Sequence, residues 1–186
     1  MKRFLAALVL LLAISLVGCD LGGNALEKAL TDMESEENVT MVMTMSDIPL
    51  IGSMQATMKL DGEYSCVETF LGTEYFKEVD GQVYAYENGV LSETPEEEDT
   101  TEEFVEFDLF AVEDFEEIDG VWVLQEDRIS VDDSQSEYMS NVEITLNSNG
   151  FISLLEFDVT AEGETFGVSI AFSDYGSTVV DVPEAE

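Results

Sequence analysis

The sequence predicts an α+β fold: a curved antiparallel meander sheet of about nine or ten strands, forming a half-barrel with two helices across its concave side. Three observations predict it. Apolar residues recur at helical spacing over residues 25–35 and then alternate from Val39 onward. Asp-Gly and Asn-Gly steps mark out the chain, at Asp61-Gly62, Asp80-Gly81, Asn88-Gly89, Asp119-Gly120 and Asn149-Gly150, and such pairs favour the positive φ angles of tight hairpin turns. In the later strands one face is greasy and the other mixed, as in an antiparallel sheet covered on one side. A twisted sheet of that size tends to curl.

The chain opens Met1-Lys2-Arg3 and continues with an apolar run from Phe4 to Val17, broken only by Ser15. That is the length of a signal-peptide core and too short to span a bilayer comfortably. The run ends Leu16-Val17-Gly18-Cys19, which resembles the lipobox of bacterial lipoproteins. The resemblance implies cleavage before Cys19, a thioether from its thiol to a diacylglyceryl group, and an extracytoplasmic protein anchored to the cell membrane. The alternative is an ordinary secretory signal with a chance cysteine. Two acyl chains hold stably where one, at ~0.8 kcal/mol per buried methylene, holds only marginally. Residues 1–18 are thus read as a signal peptide, 19–24 as lipidated cysteine and tether, 25–183 as one domain and 184–186 as a tail.

Asn24 reads as an N-cap, with Glu27 three residues on as in a capping box. Leu26, Ala29, Leu30 and Met33 form one apolar stripe, so a helix is expected at 25–35. Alternation then places Val39, Met41, Met43 and Met45 on one face, and Met54, Ala56, Met58 and Leu60 on one face after Pro49. Strands follow at Tyr64–Leu71, Glu74–Val79 and Val83–Tyr86. Residues 93–119 break the rhythm, with 14 of 27 positions acidic. Phe104, Phe107, Ala111, Val112 and Phe115 nonetheless approximate a helical face, so an acidic loop and a helix near 101–113 are expected; a disordered acidic insertion is the alternative. Strands resume at Val121–Ile129, Tyr138–Asn147, Phe151–Ala161 and Thr165–Asp174, with a short last strand at Thr178–Val182.

The lipobox, the amphipathic helix leading into a strand, the unbroken meander, the insertion near 101–113 and the ending Asp174-Tyr175-Gly176…Val182-Pro183 together resemble the superfamily of lipoprotein-localisation factors, the LolA/LolB-like half-barrels. The resemblance is one of pattern and covers most of the mature chain. It implies an apolar ligand, an acyl chain or similar, on the concave face. Met41, Met43, Met45, Met54 and Met58 are the candidate lining, because methionine repacks around varied guests; plain core packing is the competing reading. A copper site in these thioethers has no histidine or second cysteine to support it. Phe104, Phe107 and Trp122 are candidates for a rim or lid.

Charge narrows the functions. The net charge is −36, and loss of residues 1–18 takes Lys2 and Arg3 and no acid, leaving −38. Only Lys28, Lys59, Lys77 and Arg128 remain basic, which argues against nucleic acid as a partner and against attraction to anionic lipid. The absence of histidine excludes Ser-His-Asp and Cys-His chemistry. Acidic runs such as Glu96–Asp99 match no calcium loop and read as solvated, so neither metal nor cofactor is expected. Cys66 is the one cysteine besides Cys19, so no internal disulfide is expected and a buried inert thiol is. Arg128 pairs with a carboxylate or recognises an anionic group. A monomeric, membrane-anchored binding module for a lipid or other apolar ligand is one reading. A structural, interaction or sensor lipoprotein with a self-filled core is the other. An enzyme is not expected.

Overall fold

A computed structural model describes residues 25–34, 36–80, 82–87, 89–92, 111–130, 137–161 and 163–183. The signal peptide, the lipobox, Cys19, the Asn24 cap, Phe104, Phe107 and residues 101–110 of the expected second helix lie outside them. Helix α1 spans Ala25–Glu34. Twelve strands are described: β1 (Asn38–Ile48), β2 (Gly52–Asp61), β3 (Tyr64–Thr69), β4 (Gly72–Val79), β5 (Gln82–Glu87), β6 (Val90–Leu91), β7 (Phe115–Ile118), β8 (Val121–Leu124), β9 (Ile129–Ser130), β10 (Tyr138–Leu146), β11 (Ile152–Ala161) and β12 (Glu164–Ser173).

All belong to one sheet, ordered β6-β5-β4-β3-β2-β1-β12-β11-β10-β8-β7, with β9 paired to β10. Two meanders are therefore joined by the antiparallel pairing of β1 with β12, in which Met43 faces Ile170 and Met45 faces Val168. The sheet is open, ending at β6 and β7 among the described residues. The fold is mainly β with one described helix, where an α+β balance with two was expected.

The core is the face predicted to be greasy. Across the ladders, Trp122, Ile144, Leu155, Ile170, Met43 and Ala56 form one continuous row. Leu26, Ala29, Leu30 and Met33 of α1 join the same apolar cluster, and α1 lies against β11. A fully buried side chain the size of Leu26 or Ile170 contributes about 1.5–3 kcal/mol. The ten-residue helix would be marginal alone, and its apolar stripe is what the sheet stabilises.

Several boundaries differ from expectation. Residues 112–114 form a 3₁₀ turn and Phe115–Ile118 a strand, so the helix expected to reach residue 113 is not found where the chain is described. Phe115 is buried opposite Leu124, and cross-strand pairing wins over the approximate helical period. The strand expected over Val121–Ile129 divides into β8 and β9 around residues 125–128. The strand expected at Thr178–Val182 is an extended segment outside the sheet. It crosses the opposite face of β1 and β2, held by side chains. Asn38 donates from Nδ2 to Thr178 O (3.0 Å) and accepts from Thr178 N, Thr40 and Thr178 share a hydroxyl contact of 3.0 Å, and Val180 N donates to Asp61 (2.8 Å).

The two ends of the sheet are built differently. At the near end, where β1 begins, the described turns include Asp61-Gly62, Asp119-Gly120 and residues 147–150. Asp119 and Gly120 both have positive φ (53° and 87°), the geometry such a pair is suited to. At the far end, the β1–β2 and β3–β4 connections are Pro49-Leu50-Ile51 and Phe70-Leu71.

Candidate functional site

The five candidate methionines do share one face. Met41 stands opposite Met58, Met45 opposite Met54, and Met43 opposite Ala56. Their burial divides them. Met41 and Met58 are buried within the core, whereas Met43, Met45 and Met54 are half-buried. Trp122 is buried opposite Ile144 and is part of the packed core.

Toward the far end the half-buried methionines are joined on the same face by three further half-buried apolar side chains from the later strands: Phe157, Val159 and Phe166. The ladders make these continuous. Met54 pairs with Met45, Met45 with Val168, Val168 with Phe157, and Val159 with Phe166. An apolar strip thus crosses four neighbouring strands, β2, β1, β12 and β11. The signal for its extent was the shared face; the signal for its exposure was absent, because exposure depends on where α1 and the rest of the chain lie.

Every basic side chain in the described residues has a partner: Lys28 an ion pair with Asp32 one helical turn on, Lys59 a 2.6 Å pair with Glu68, Lys77 the Tyr64 hydroxyl at 3.1 Å and Glu63 at 3.4 Å, and Arg128 the ring of Tyr138 at 5.1 Å. The hydrogen bond from Lys59 to Glu68 holds its ammonium above the ordinary value, and the hydrogen bond to Tyr64 does the same for Lys77. No buried side-chain polar atom among the described residues lacks a partner, so no orphaned donor or acceptor points into the strip. No group of three metal-ligating side chains occurs among the described residues. Cys66 is a free thiol on the opposite face of the sheet, where burial pushes its pKa up and so disfavours the reactive thiolate.

Beside the strip, a groove of about 420 Å³ runs between β2 and the β3–β4 turn, with Ile51, Met54 and Phe70 among its walls. It opens where β2 extends beyond its last pairing with β3, Thr57 opposite Glu68.

Solved structures similar to this chain include the following two. LprF from Mycobacterium bovis matches over 87% of this chain and 96% of its own, at 11% identity and a TM-score of 0.40. The LolA superfamily protein NE2245 from Nitrosomonas europaea matches over 80% and 89%, at 11% identity and a TM-score of 0.33. The second belongs to the superfamily that the sequence resembles. No protein-family model matches the sequence, and no curated protein does. No described helix is long and apolar enough to cross a membrane.

Proposed function

We propose that this protein is an extracytoplasmic lipoprotein, anchored through Cys19, whose open half-barrel binds a lipid or other apolar ligand along the strip from Met54 to Val159. The observation that carries the reading is the division of one sheet face. Its core is packed and its polar groups are paired, yet Met43, Met45, Met54, Phe157, Val159 and Phe166 stay half-buried on neighbouring strands toward the far end of that face. Flexible methionines toward the far end of two central strands suit guests of varied shape. With each described base already partnered, the affinity is for acyl or similar apolar groups and not for an anionic head. The full burial of Met41, Met58 and Trp122 favours a second reading, a self-filled core serving an interaction or sensor role.

Native mass spectrometry of the intact purified chain separates the two. The first reading expects a non-covalent lipid beyond any mass attached at Cys19. It also expects Met45→Gln with Met54→Gln to weaken binding of a fluorescent fatty acid at least tenfold, while Met41→Leu leaves it unchanged. An intact chain that carries no lipid and binds no fatty acid supports the self-filled core. Cys19→Ala tests the anchor separately: the variant should leave the membrane fraction once its signal peptide is removed.

A further inference from the structure

We infer that the far-end hairpin tips form a second membrane contact, too weak to hold the chain alone, that docks on a neutral lipid surface while the N-terminal anchor keeps the chain at the bilayer. Leu50 and Ile51 at the β1–β2 tip are 107% and 64% exposed, and Phe70 and Leu71 at the β3–β4 tip are 76% and 64% exposed. Val90, the first residue of β6, is exposed beside the next turn. These are the turns of neighbouring hairpins, all at one end of the sheet, and Ile51 and Phe70 face each other across one groove.

Turn formation does not explain these residues. Thr69 pairs with Gly72, so Phe70-Leu71 is a two-residue hairpin loop, the position for which Asn-Gly or Asp-Gly is preferred. Asp61-Gly62 and Asp119-Gly120 supply such pairs at the near end, and the sequence step Asn88-Gly89 supplies one between β5 and β6, so Phe70-Leu71 is the departure. Leu50 has φ 68°, a left-handed conformation that is an outlier for a bulky side chain. Strain and full exposure of a leucine together point to something that the turn does for function rather than for folding.

Charge and area identify the occupant. Residues 48–58 and 69–73 contain no charged side chain, in a chain that is 26% charged. Uncharged tips with acids such as Asp47 and Glu74 beside them fit zwitterionic lipid, while the net charge of −36 repels an anionic one. The exposed side chains are divided among separate hairpin tips, so no continuous surface among them approaches the ~800 Å² per partner of a standard stable protein interface. They also project as separate tips and not as a flat face. Apolar tips wedged among lipid headgroups need no matching surface.

The inference rests on the membrane-anchored reading and has its own test. Trp122 is the chain's single tryptophan and is buried, so it supplies a constant background. The intact chain is reconstituted in phosphatidylcholine vesicles with brominated acyl chains, as Phe70→Trp or, at a near-end turn, as Ser148→Trp. The added emission at position 70 should be quenched by more than half and that at position 148 by little. Quenching at 70 should persist in the Met45→Gln, Met54→Gln background, which separates bilayer contact from a lipid held in the strip. Leu50→Ser should reduce it. Equal quenching at both positions, or none at 70, overturns the proposal. So does protection of position 70 that grows with protein concentration and not with lipid, because a second copy then covers the tips.

Discussion

Four titratable side chains share one direction of shift, and they set how the fold responds to alkali. Burial pushes the Cys66 thiol above its ordinary 9.0. Burial, and secondly the Glu36 carboxylate, pushes the Tyr175 hydroxyl well above 10.0; that hydroxyl donates to Ile152 O at 2.6 Å, and its ring stacks on Phe151. Lys59 and Lys77 rise above 10.5 through their hydrogen bonds to Glu68 and Tyr64. In each case the folded chain keeps its proton to higher pH than the unfolded chain does. The stability tied to these groups is complete below the unfolded pKa and is lost as pH rises through the folded one. The melting temperature should therefore start to fall near pH 9 and fall further above pH 10. Cys66→Ala should delay the onset, since the first group in the series is then gone. Thermal melts by circular dichroism from pH 7 to 11 check this, and a melting temperature that rises between pH 9 and 11 contradicts it.

Among the elements, the segment over residues 174–183 shows where reading the sequence stopped short. Its apolar residues looked like one more strand. What orders it is instead a set of side chains far away in sequence: Asn38, Thr40 and Asp61, 119 to 140 residues distant. No local pattern encodes such a partner. The elements with strict alternation and Asp-Gly turns were legible, because period two and positive φ are local properties. The strand at Phe115–Ile118 was not, because Glu116 and Glu117 merge with the acidic stretch around them and hide the pairing of Phe115 with Leu124. At the site, the shared face of the five methionines was legible, but their division into packed and half-buried members depends on tertiary cover. The latch makes its own prediction. Asn38→Ala leaves the backbone of Thr178 without two partners and should cost about 1–3 kcal/mol. It should also raise hydrogen exchange at Thr178 and Val180 before that of β11. A loss of stability with no local exchange change there would mean that Asn38 acts through β1 and not through the segment. Leu26→Ala, which empties a fully buried site on α1, should cost about 2–5 kcal/mol, read as a lower urea midpoint.

Taken as a whole, the molecule carries 42 acidic side chains against six basic ones. Even if every base neutralises one carboxylate, the surplus acids must share the surface of one domain. Such a charge works against compaction, since unfolding lets the carboxylates move apart. Salt screens that repulsion, with a Debye length of about 10 Å at 0.1 M and about 3 Å at 1 M. The same salt weakens the ion pairs of Lys28, Lys59 and Lys77. Exposed pairs of this kind are worth only ~0–1 kcal/mol each, so repulsion among the unpaired acids decides the sign. Raising sodium chloride from 10 mM to 1 M should stabilise the fold, and each kcal/mol gained should lift the melting temperature by about 2–4 °C. Most of the rise should come below 0.3 M, where the screening length shortens fastest. A rise that is instead linear to molar salt, and is reproduced by sucrose, would mark a general solvent effect on apolar burial and not the relief of self-repulsion; a flat or falling melting temperature would remove the repulsion argument altogether.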